Sequence, residues 1–138
     1  QLRDLLPELY GLLAELAWLQ GDLTAAANQG QQAVDLAREL SMPREEGHNL
    51  RVLGEITRAN KQLAEAEQLF QQSYTTLHQA GDEYESGRTQ LSLAQLYVAQ
   101  QKYEQAEALL ALCEPIFERL DAQLDLALVQ TIRQSLTS

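Results

Sequence analysis

Apolar side chains recur along this chain with the spacing of one face of a helix. Leu50, Leu53, Gly54 and Thr57 fall at i, i+3, i+4 and i+7, and Ala66, Leu69, Phe70 and Ser73 repeat the pattern. Short breaks separate such stretches at Gly21-Asp22, Ser41-Met42-Pro43, Asn60-Lys61 and Gly81-Asp82. The pattern predicts helices near residues 4–20, 24–40, 44–60, 63–80, 83–99, 103–120 and 123–136. Asp82, followed three residues on by Glu85, has the form of an N-cap with a reciprocal capping-box partner, and Pro43 suits a first helical turn. Pro115 falls inside the sixth predicted helix, where its missing amide hydrogen predicts a kink or an early break.

The same faces return every forty residues. At that shift Leu13, Leu53 and Leu93 coincide, then Ala14, Gly54 and Ala94, then Leu16, Ile56 and Leu96. Ala26, Ala66 and Ala106 superpose, and Ala33, Ser73 and Cys113 all keep a small side chain. A fixed period of this length marks a solenoid in which each helix pair buries its apolar face against the next. The small residues belong where two helices cross closely, so Ala66 and Gly54 are expected at such a crossing. The expected fold class is therefore all-α, an α-solenoid of about three helix pairs in one domain over residues 1–138, with repeats at about 7–46, 47–86 and 87–126. The last stretch, 123–136, departs from the pattern at Arg133-Gln134 and is expected to form a capping helix that buries Leu124, Ala127, Leu128, Ile132 and Leu136.

Composition narrows the function. The chain has 138 residues and a formal charge of −10 from 20 acidic and 10 basic side chains. Without a basic stripe it is poorly suited to phosphate backbones or anionic membranes, so neither nucleic acid nor membrane is an expected partner. The lone Cys113 rules out an intrachain disulfide and a Cys-pair zinc site, which fits a reducing, cytoplasmic setting. It also stands at a small-residue core position, where a buried, inert thiol is expected. No stretch approaches the ~20 apolar residues of a membrane span.

The aligned residues resemble the tetratricopeptide repeat, in its longer variant of about forty residues. The carriers are Leu13-Ala14, Leu53-Gly54 and Leu93-Ala94 in the first helices, with Tyr97 and the turn Gly21-Asp22. In the second helices they are Ala26, Ala66, Ala106, Ala33 and Phe70. The likeness runs from Pro7 to about Asp125, with departures at Ala17 and Gly30, where the family prefers large aromatic residues. The junction Ala80 to Gly87 also resembles those of forty-residue repeats in bacterial signalling and regulatory proteins.

The resemblance implies a non-enzymatic scaffold that binds a protein or peptide on the concave surface lined by each unit's first helix. By helical phase the exposed stripe there comprises His48, Arg51, Glu55 and Arg58, about 200° from the Leu50 stripe. One repeat earlier it holds Glu8, Gly11, Glu15 and Trp18, and one repeat later Arg88, Leu91, Gln95 and Val98, of which Glu15, Trp18, Arg88 and Gln95 are the candidate contacts. The arginines are suited to a partner with an acidic segment, or else they pair with Glu15, Glu55 or Gln95 on neighbouring helices. Trp18 is either an exposed anchor or covered by the N-terminal segment or Arg58. His48 and His78 lie on different helices and are expected to be solvated rather than to hold a metal.

No catalytic constellation or phosphate loop is evident, so neither enzymatic activity nor a cofactor is expected. Chaperone-tail clamping, known in one subgroup of the family, is disfavoured by Gly11, Glu15, Glu55, Leu91 and Gln95 at the clamp positions. The odd helix count and uncapped ends lead to the expectation of a fragment from a larger bacterial regulatory protein. The second reading is a homo-oligomer, stacked through Leu2, Leu5 and Leu6 or through the face of Leu126 and Val129.

Overall fold

The computed structural model describes residues 2–137. A short 3-10 turn (Leu2–Leu5) leads into seven α-helices with no strand among the described residues: α1 (Leu6–Leu19), α2 (Leu23–Glu39), α3 (Pro43–Ala59), α4 (Leu63–Gln79), α5 (Glu83–Ala99), α6 (Tyr103–Arg119) and α7 (Gln123–Leu136). Helices α2 to α6 each have 17 residues, and the connections between all seven have three.

Those connections are built alike. The middle residue takes a left-handed conformation at Gly21, Ser41, Lys61, Gly81, Gln101 and Asp121, one every twenty residues. Its amide hydrogen bonds back three residues and the next amide bonds back five, as in Gly21 to the Trp18 carbonyl and Asp22 to the Ala17 carbonyl, both 2.9 Å. This Schellman closure satisfies the free carbonyls of one helix while the following residue caps the next. Asp22 and Asp82 do so with their side chains, accepting from the amides of Ala25 and Glu85. Four of the six left-handed positions carry a side chain that resists that conformation. Gln101→Gly is therefore expected to stabilise the fold by about 0.5–1 kcal/mol, a thermal midpoint roughly 2–4 °C higher, because the relieved strain exceeds the extra freedom given to the unfolded chain. An unchanged or lower midpoint in a melting experiment would contradict this account of the turns.

Packing follows the repeat. The even helices bury one stripe each: Ala26, Gly30, Ala33, Val34 and Ala37 on α2, Ala66, Phe70, Ser73 and Leu77 on α4, and Ala106, Leu110, Cys113 and Phe117 on α6. Opposite them the odd helices carry small residues, and a Cβ added to Gly54 would stand 2.6 Å from a Phe70 ring carbon. Glycine there lets the ring lie against the α3 backbone. The odd helices also touch one another in the order α1, α3, α5, α7, whereas even helices touch only odd ones. The odd row is thus the inner wall of the stack, and α3 and α5, covered from several sides, are its most buried members.

Two expectations need correction. Helix α6 runs unbroken through Pro115 to Arg119. Pro115 lies on the solvent side, and so does Ala111, whose carbonyl the proline deprives of a donor, so water can take the missing partner's place. In α7 the buried residues are Val129 and Ile132, with Leu126 and Leu136 packed at the edge, whereas Leu124 is 88% exposed and Ala127 and Leu128 are also exposed. Ala127 is the equivalent of Gly47 and Gly87, which face α4 and α6 through Leu77 and Phe117. No eighth helix follows among the described residues, so the side of α7 that meets α5 and α6 is buried instead. The same geometry removes Leu126 and Val129 as a docking face.

Candidate functional site

Residues of the predicted stripe come together on the inner wall. Glu15, Trp18, His48, Arg51, Glu55, Arg88 and Gln95 line one cleft of about 290 Å³, joined by Asp125 from α7. Arg58 lies outside it and donates to Glu55 of its own helix at 2.6 Å. Trp18 is half-buried, packed with Ala14, Ala17, Val52 and Ile56 on one side. A second cleft of about 340 Å³ opens beside the first and includes Glu8, Gly11, Glu45 and His48.

The centre of the wall is a carboxylate that the stripe did not contain. Glu85, on the first turn of α5, accepts from Arg51 Nη2 at 2.9 Å and contacts His48 Nδ1 at 3.0 Å and Arg88 at 3.6 Å. Arg51 is only 5% exposed, and its other terminal nitrogen donates to the Glu85 carbonyl at 3.1 Å and to Thr89 Oγ1 at 3.3 Å. Thr89 lies 3.0 Å from Ser73 Oγ, which donates to the Gly47 carbonyl at 2.7 Å, so a polar thread crosses α3, α4 and α5. Arg51 Nη2 also lies 3.2 Å from His48 Nδ1, which donates to Glu85 in one tautomer and accepts from Arg51 in the other. Burial alone pushes the Glu85 carboxyl up; the hydrogen bonds and charges of His48 and Arg51 outweigh it and hold the pKa at about 2.

Glu85 therefore completes only half of the expected capping box. Asp82 accepts from the Glu85 amide, but the Glu85 side chain turns to Arg51 and the Asp82 amide is already bound to the Leu77 carbonyl. His78 is exposed, as expected, whereas His48 is only partly so. His48 is held by Glu85, and His78 stacks on Tyr74 with ring centres 5.4 Å apart.

The forty-residue register relates Glu85 to two further acids, Glu45 and Asp125, at the same place on α3 and α7. Asp125 has its own cation, with Arg88 at 3.7 Å, and accepts from the Tyr84 hydroxyl at 2.6 Å. That hydrogen bond, with burial and the Asp125 charge, raises the Tyr84 pKa. Glu45 has none, because the residues equivalent to His48 and Arg51 on α1 are Glu8 and Gly11. Among the described residues Glu8, Glu15 and Glu45 make no ion pair. The signal for this acidic row was available in the sequence, since Glu45, Glu85 and Asp125 superpose at the same shift as the leucines.

No group of three or more His, Cys, Asp or Glu among the described residues could hold a metal ion. Burial pushes the Cys113 thiol up to about 12, so its thiolate is scarce at neutral pH. No helix of the described residues is long and apolar enough to cross a membrane.

A family model described as tetratricopeptide repeat matches residues 45–119, more than half of the chain. Among solved structures, the crystal structure of BtubC (BKLC) from P. vanneervenii superposes with a TM-score of 0.76 at 18% identity, covering 98% of this chain and 59% of that one. The chain thus spans little more than half the length of this structural neighbour, and at that identity the likeness shows the fold alone. A search of curated proteins finds no match.

Proposed function

Because the chain belongs to the tetratricopeptide-repeat family, we propose that it is a non-enzymatic interaction module that holds an extended peptide segment against the inner wall of α1, α3, α5 and α7. Repeats of this family mediate protein–protein interaction. What supports the wall as the binding surface is the uneven filling of one repeated position. Glu85 and Asp125 are neutralised from within, while Glu45 lines a cleft with Glu8 and Glu15 and has no counterpart of the cation that Arg51 supplies one repeat later, since Gly11, packed against Asn49, stands at that position.

This turns the expected partner chemistry around. The arginines of the stripe are spent on Glu85, Asp125 and Glu55, so an acidic segment would have to displace them. The uncommitted charge is negative, and a lysine or arginine of the partner fits beside Glu8, Glu15 and Glu45. The same proposal puts the module in the cytoplasm, as part of a regulatory protein, on the strength of its lone cysteine and its repeat junctions.

The test begins with a random peptide library displayed on phage and panned on the protein. Enriched peptides are expected to carry Lys or Arg, and calorimetry is expected to show at least a roughly tenfold loss of affinity for the Glu8→Gln, Glu45→Gln double variant. Weakening by salt should accompany it, because the three carboxylates are at least partly exposed. Enriched peptides that are acidic, or that bind the double variant as tightly as the parent, would refute the reading.

A further inference from the structure

The outer side of the stack carries openings of its own, between neighbouring even helices. One, of about 330 Å³, lies between α4 and α6, with Tyr74 and Leu112 on its sides and Ser86 and Gln90 of α5 beneath. Its equivalent one repeat earlier lies between α2 and α4, where Arg38, Glu46 and Leu50 take the places of His78, Ser86 and Gln90. Even helices touch only odd ones, and the earlier cleft stays open although a repeat follows it. Further repeats at either end of the stack would therefore leave the later cleft open as well.

The two clefts differ in what satisfies them. In the earlier one the chain's own Arg38 donates to Glu46 at 3.0 Å, and the buried residue is the apolar Leu50. In the later one the arginine's place is taken by His78, which is exposed and stacked on Tyr74, and the leucine's by Gln90. Gln90 is only 6% exposed, yet its carboxamide has no hydrogen-bond partner among the described residues. A buried amide is costly to leave unpaired, so its place in the cleft calls for an incoming group. Ser86, one turn away and also buried, donates to the Glu83 carbonyl at 2.9 Å, which leaves its oxygen able to accept.

The rest of the lining sets the charge and shape of that group. Asp82 and Glu83 line the cleft, and no lysine or arginine does. Their own cations, Arg44 and Arg119, have side chains 65% and 59% exposed, and such exposed pairs contribute little. Leu112, Ile116 and Tyr74 offer apolar surface to a long aliphatic stem. We propose that this cleft binds the side chain of an arginine presented by a partner protein, its stem against Leu112 and Ile116 and its guanidinium among Gln90, Ser86 and the carboxylates of Asp82 and Glu83. A guanidinium suits these acceptors because its five N–H donors serve several at once. The partner thus supplies the cation that Arg38 supplies within the earlier cleft. Because this cleft opens on the outer side, such a partner can be held while a peptide occupies the inner wall.

The probe is acetyl-Gly-Arg-Gly-amide, titrated into the isotope-labelled whole chain and followed by NMR. Saturable shifts of the Gln90 side-chain amide and of the Gly81 and Ser86 backbone amides are expected, with a dissociation constant in the millimolar range. The citrulline peptide, which keeps the shape and loses the charge, should bind at least ~10-fold more weakly. Gln90→Leu, which places there the residue of the equivalent Leu50, should weaken the arginine peptide at least ~10-fold with helicity unchanged. Leu112→Gln, which copies Gln72 at an exposed position, should weaken it roughly threefold. Absence of those shifts, shifts confined to the inner wall, an affinity that survives Gln90→Leu, or equal binding of the citrulline peptide would overturn the proposal. Equal binding of the corresponding lysine peptide would overturn the choice of guanidinium. Movement of the same signals when the chain alone is concentrated would make a second copy the occupant and overturn the partner assignment.

Discussion

Ala66→Arg is expected to unfold the protein or to lower its thermal midpoint by more than ~15 °C, while Ala64→Arg two residues away leaves it nearly unchanged. Ala66 is fully buried where α4 meets the core that includes Phe70, Ala94 and Tyr97, and Ala64 is exposed on the same helix. Overfilling a tight crossing costs about 1–3 kcal/mol, and a charge without a partner adds to it, for a total on the order of 4 kcal/mol or more. In a chain this size that corresponds to the stated drop in midpoint. Calorimetric melting of both variants checks it, and similar midpoints would mean that the forty-residue register does not describe the packing.

The second large effect belongs to Arg51. Arg51→Ala is expected to destabilise the fold by about 3 kcal/mol, because it strips a mostly buried carboxylate, Glu85, of its closest cation and leaves Thr89 short of a donor. The loss should depend on pH. With a folded pKa of about 2, below the ordinary 4.5, Glu85 contributes stability that is present above about pH 4.5 and fades as pH falls towards 2. The gap between wild type and variant should therefore be widest near neutrality and narrow over that acidic range, as read by urea unfolding at a series of pH values. A gap of constant size would show that Arg51 acts through packing of its stem alone. The same dependence explains why Arg51 is a poor choice for probing ligand binding: a substitution there reports folding first.

The helices and their order were legible because a periodic signal is repeated, and each copy of Leu13, Leu53 and Leu93 corroborates the others. The inner wall was legible for the same reason, since helical phase alone assigned seven of its residues to one side. What escaped depended on neighbours that single-helix reasoning does not see. Glu85 satisfied a local capping pattern, and only the approach of Arg51 and His48 from α3 shows where its carboxylate goes. In α7 two leucine-bearing stripes compete, and the choice between them is made by which flanking helices exist. The early break expected at Pro115 does not occur because the rule against proline assumes a carbonyl sealed from water, and Ala111 and Pro115 lie on the exposed side of α6.

The left-handed residue that closes each turn at twenty-residue intervals bears on how such a chain can change length. One residue inserted within a helix would rotate everything after it by about 100°, turning its core side chains towards solvent. Removal of twenty residues would preserve phase but exchange inner helices for outer ones. Gain or loss of a whole forty-residue block keeps both, so indels in this lineage should be confined to entire units or to the three-residue connections.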